Sequence, residues 1–98
     1  MSFVVKIEKR AINDISNSIE YYNIQQKDLG NKFVKEVNKA INKISINPFY
    51  QIRYDDVRCI LVNKFPFMIH FSIDEINEVI KIFAVIHTAR NPDNNWIK

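Results

Sequence analysis

The run FVVKIEKRAINDISNSIEYY, residues 3–22, changes its period part-way along, and that change decides the fold. Phe3, Val5 and Ile7 fall on one face and alternate with Val4, Lys6 and Glu8, the period-two pattern of a strand. From about Lys9 the apolar residues recur at spacings of three and four instead. Ile12, Ile15, Ile19 and Tyr22 then make the stripe of an amphipathic helix. A strand leading directly into a helix places the chain among mixed α and β folds.

Working outward, residues 28–46 repeat the helical pattern with Leu29, Phe33, Val37, Ala40, Ile41 and Ile44, while Lys32, Lys35, Lys39 and Lys43 take the opposite face and read as a solvated stripe. Asn47-Pro48 ends this second helix, because proline pushes the residue before it out of the α region. Beyond Pro48 three runs are rich in β-formers: 57–62, 65–73 and 79–87. Asn63-Lys64 and the stretch 74–78 are the turns between them. In the middle run Phe67, Ile69, Phe71 and Ile73 share one face and Met68, His70 and Ser72 the other. Pro66 sits at the start of its strand, where a missing N–H is tolerated. Connections this short favour antiparallel pairing. The predicted fold is therefore α+β with order β-α-α-β-β-β, a helical hairpin packed on one face of a small, mostly antiparallel sheet. With no internal repeat or linker, residues 1–98 read as one domain.

Bulk composition narrows the function classes. The single cysteine, Cys59, permits no intramolecular disulfide and fits a reducing cytoplasm. Alternating with Val57 and Leu61, it reads as an inert core thiol. No apolar stretch approaches the ~20 residues of a membrane span, and Lys6 and Glu8 interrupt the N-terminal apolar run, so no signal peptide is expected. One glycine, Gly30, excludes phosphate-binding and dinucleotide-binding loops. Two histidines and one cysteine without ligand spacing leave no metal site to expect, and no cofactor motif is present. The net charge of +3 is modest for a dedicated nucleic-acid binder.

Local signals in this order resemble the RelE/ParE toxin superfamily, especially the ParE-like members known as plasmid-stabilisation proteins. Ala11, Asp14-Ile15, Tyr21-Tyr22, Leu29-Gly30 and Phe33 look like that family's hairpin. Asn47-Pro48, Val57-Arg58, Phe65-Pro66-Phe67 and Ile69 look like its passage into the sheet, and His87, Arg90, Asn91-Pro92 and Trp96 like its C-terminal signature. The resemblance implies a growth-inhibiting toxin of a type II toxin–antitoxin system, neutralised in a hetero-oligomer by a cognate antitoxin whose C-terminal part folds on binding. ParE-like members inhibit DNA gyrase, whereas RelE-like members cleave messenger RNA in the ribosome, so either target follows from the family; an inactive antitoxin-binding module is the third possibility.

The ribonuclease reading makes demands on particular residues. Metal-free RNA cleavage needs a base, an acid and cations gathered on one phosphate. His87 is the acid/base candidate on the last strand, with Arg58 and Arg90 as the cations and Arg53, Tyr54, Lys64 and His70 further out. Each has a plainer reading. His87 can hydrogen-bond the tail, Arg58 can pair with Asp55 or Asp56, Arg90 can anchor the C-terminal loop, and His70 falls on the face away from the hairpin, where it is expected exposed. Of Tyr21 and Tyr22, one is expected to pack and the other to face water; both, with Trp96, Arg58 and Arg90, are candidate partner contacts, as are Ile24 and Ile76. The basic set is sparse, and Thr88-Ala89 stands where the superfamily's ribonucleases carry a terminal His-Tyr or Tyr. That departure favours a toxin acting by binding.

Overall fold

A computed structural model describes residues 2–88. The strand–helix switch falls where the period changes: β1 is Val4–Ile7 and α1 is Lys9–Gln25. A short link leads to α2, Leu29–Ile46, and Asn47 caps its end immediately before Pro48. β3 (Val57–Leu61), β4 (Phe67–Asp74) and β5 (Val79–His87) match the three β-rich runs to within two residues at each end. Between α2 and β3 lies one strand that the pattern did not predict, β2, Ile52–Tyr54. Three residues are too few to show an alternation, and Ile52 is exposed. The turn that returns β2 to β3 puts Asp55 at φ 48, a left-handed conformation that aspartate tolerates better than most residues.

The sheet order is β1-β5-β4-β3-β2, antiparallel throughout except that β1 lies parallel to β5. Both helices cover one face. Phe33, Val37, Ala40 and Ile44 of α2 meet Ile69, Phe71, Ile80, Ile82 and Val85 of the sheet in the main core. The hairpin is clasped at its link: Gly30 N–H donates to Asn23 Oδ1 at 2.9 Å, and a Cβ at position 30 would sit 2.6 Å from that oxygen. Any other residue there displaces the asparagine.

On α1 the buried stripe differs from the expected one. Ala11 and Ser18 are buried and Ile15, Ile19 and Tyr22 pack against the core, whereas Ile12 is 50% exposed. The helix is rotated so that its smallest side chain meets the sheet, which lets α1 lie close along β5.

Candidate functional site

β1 pairs with β5 only as far as Ile82, whose carbonyl accepts the N–H of Glu8 at 2.8 Å. There the chain turns into α1, so the second half of β5 has a helix beside it rather than a strand. Asp14 supplies what the missing strand does not: its carboxylate accepts the Val85 N–H at 3.0 Å. A groove of about 270 Å3 opens along this junction, lined by Arg10, Asp14, Asn17 and Tyr21 of α1 and by Phe67, Ile86 and His87 of the sheet. The His87 ring meets Phe67 edge-on, centroids 5.0 Å apart.

Arg58 lies at another corner. It pairs across the sheet with Phe71, while His87 pairs with Phe67, on the opposite side of β4. Two strand spacings and four residues along the strand separate them, on the order of 16 Å between Cα atoms. The Arg58 side chain is engaged where it stands. Its Nε donates to the Tyr50 carbonyl at 2.6 Å, and its guanidinium lies 5.9 Å from the centre of the Phe49 ring. Asp55 and Asp56, which could have paired with it, are not within 4.0 Å.

The face away from the helices holds a second, smaller cluster of Val57, Cys59 and Met68, with Tyr54, Phe83 and Ile86 against it. His70 belongs here and is 1% exposed, which corrects the expectation that this face leaves it in water. The reason is a β-bulge: the β4–β5 register shifts at His70/Phe71, and the extra residue, Phe83, turns its ring onto the histidine, centroids 6.4 Å apart. The Tyr54 hydroxyl lies 2.9 Å from His70 Nδ1, and Cys59 Sγ lies 3.6 Å from the same nitrogen. Burial, with the Arg10 charge adding to it, lowers the His70 pKa to about 4, and burial pushes the Cys59 thiol up to about 11. At neutral pH the pair is thiol and imidazole, not thiolate and imidazolium, so it is not a nucleophilic dyad. The inert reading of Cys59 agrees with this.

Residues 5–92 match the family of the ParE toxin of type II toxin–antitoxin systems, parDE. The chain belongs to the ParE toxin family. Among solved structures, the chromosomal ParDE TA system from P. aeruginosa superposes with a TM-score of 0.75 at 15% identity, covering 88% of this chain and 96% of that one. A double arginine-to-alanine mutant of the E. coli toxin RelE in the free state superposes with a TM-score of 0.69 at 12% identity, covering 93% of this chain and 88% of that one. At such identities the likeness is one of fold. No curated protein matches the chain.

For this ParE-family toxin, the structure brings Tyr21 and His87 to one groove and leaves Arg58 outside it. Tyr22 packs into the core against Phe33 and Phe65, and Tyr21 is exposed beside it. Ile24 and Ile76 are both well exposed. Arg90 and Trp96 lie outside the described residues. Among the described residues no helix is long and apolar enough to cross a membrane, and no group of three His, Cys, Asp or Glu could hold a metal ion. The carboxylate of Asp14 escaped the composition-based search for chemistry, although its position is legible: it follows Ala11 by three residues and precedes Ser18 by four, a charge on the buried stripe.

Proposed function

We propose that this toxin arrests growth by binding DNA gyrase, with no bond-making chemistry of its own, and that a cognate antitoxin neutralises it by wrapping the hairpin and the sheet edge. The observation that carries this reading is the separation of Arg58 from His87. A phosphodiester-cleaving site needs its acid–base group and its cation on the same phosphate. Here Arg58 is spent on a backbone carbonyl and an aromatic ring at the far corner of the sheet, and among the described residues the cation lining the His87 groove is a single one, Arg10. What remains at His87 is a groove suited to holding a partner's side chains.

Pulse-labelling after induced expression in bacteria tests it. Thymidine incorporation is expected to fall before methionine incorporation. The variant His87→Gln is expected to stay toxic, since a group that only lines a contact surface is dispensable. A collapse of protein synthesis within minutes, together with a loss of about 10²–10⁴-fold in the His87→Gln variant, would instead establish the ribosome-dependent messenger RNA endoribonuclease.

A further inference from the structure

Arg10 stands in the first turn of α1, exposed, and lines the His87 groove. On a helix, opposite charges four residues apart share a face and attract, so Asp14 is the acid best placed to pair with it. Asp14 is engaged elsewhere: its carboxylate accepts the Val85 N–H at 3.0 Å. Among the described residues no carboxylate lies within 4.0 Å of a nitrogen of Arg10. The hydrogen bond that holds α1 against β5 thus leaves a guanidinium without a counter-ion.

The guanidinium reaches over the sheet rather than away from it. Burial lowers the His70 pKa, and the Arg10 charge is felt there as well, on the middle strand. The groove beside Arg10 holds about 270 Å3, below the roughly 300–1,000 Å3 of sites that enclose a small-molecule ligand, and is the size for side chains of a partner. Its walls differ in character. α1 offers the Asn17 amide and the Tyr21 ring, and the sheet offers Phe67 and Ile86.

We propose that Arg10 is the recognition residue of this groove and grips one carboxylate of the target protein, an aspartate or glutamate whose apolar neighbour rests against Tyr21 and Ile86. The assignment rests on the toxin acting by binding, and it names what the His87 groove holds. A guanidinium fork fits a carboxylate through two parallel hydrogen bonds. A nucleic-acid backbone fits less well. It presents phosphates at regular spacing, and proteins that bind it gather several cations. This groove has one, and Asp14 beside it repels any further negative charge. Asp14 therefore has two effects: it closes the seam to β5, and it limits the groove to a ligand of single charge.

Growth arrest by the full chain, expressed at graded levels without antitoxin, tests this without presupposing the target. Arg10→Gln is expected to need about thirtyfold more protein for the same arrest, and Arg10→Lys, which keeps the charge and loses the fork, about tenfold more. Both should melt at the wild-type temperature, because the side chain is exposed. Asp14→Asn keeps an acceptor for Val85 and removes the competing charge, so it should arrest growth at about half the wild-type level. Damage to the fold cannot raise potency. Host mutants that survive the wild-type toxin are expected to have lost an aspartate or glutamate on one protein, and a lysine at that position should restore arrest by Arg10→Glu. If that protein is gyrase, the target reading gains the same support; if it is another protein, the gyrase reading fails and the carboxylate assignment stands. The proposal is overturned if Arg10→Gln is as potent as the wild type, if Asp14→Asn is weaker at an unchanged melting temperature, or if no surviving host has lost an acidic residue.

Discussion

The two faces of the sheet are built from the same strands and stabilised in different ways. Alternation along β4 sends Phe67, Ile69 and Phe71 under the helices and Met68 and His70 to the other side. The first face is closed by a layer, two helices whose apolar stripes need only match in area. The second is closed in part by a local device, a bulge that swings Phe83 over His70, with Tyr54 reaching in from β2. A layer tolerates only apolar groups beneath it. A cluster assembled from single side chains can bury a histidine, provided Tyr54 donates its hydroxyl hydrogen to a neutral ring. Binary patterning therefore describes the helical face fully and the other face only as "not the core".

Three measurements test this contrast, and the largest effect belongs to the layered face. Phe71→Ala opens a cavity at a fully buried position and is expected to cost about 3–5 kcal/mol of unfolding free energy in urea. A cost under about 1 kcal/mol would mean that the helices are not packed tightly on the sheet. The second effect belongs to the histidine face. The folded His70 pKa of about 4 lies below the unfolded value of 6.5, so the unfolded chain takes up the proton more readily. Its contribution is complete above pH 6.5 and is lost as pH falls from there towards 4, on the order of 3 kcal/mol. His70→Gln should flatten that part of the stability–pH curve; equal slopes in the two proteins would assign the titration elsewhere. The smallest effect falls at the seam beside α1. Asp14→Ala strands the Val85 N–H and is expected to cost about 1–2 kcal/mol and to speed exchange of that amide, while Asp14→Asn keeps an acceptor and most of the stability. Unchanged exchange at Val85 in the alanine variant would show that water replaces the carboxylate at no cost.

The sequence carried most of the fold because its long elements obey clean periods. The helical stripe of residues 28–46 and the alternation of 67–73 leave little choice of layer. What escaped it is short or non-local. β2 has three residues, and the rotation of α1 follows from Ala11 fitting the sheet better than Ile12, a choice that only the contact settles. The burial of His70 depends on a one-residue register shift, which no pattern along a single strand reveals. Site residues were found by type, and type is blind to spacing across strands. Arg58 and His87 are the right kinds of residue, but a sheet of fixed pitch keeps them apart.

The parallel pairing of β1 with β5 orders events in time. Val4 pairs with Val79 and Ile7 with Ile82, so the first strand to be synthesised has no partner until the last has been made. The hairpin of helices and the β3–β4–β5 meander are local and can form from neighbouring segments, whereas closing β1 onto β5 ties a loop through nearly the whole chain. Until that step is complete, the edge of β5 from Val79 to Ile82 has no strand beside it.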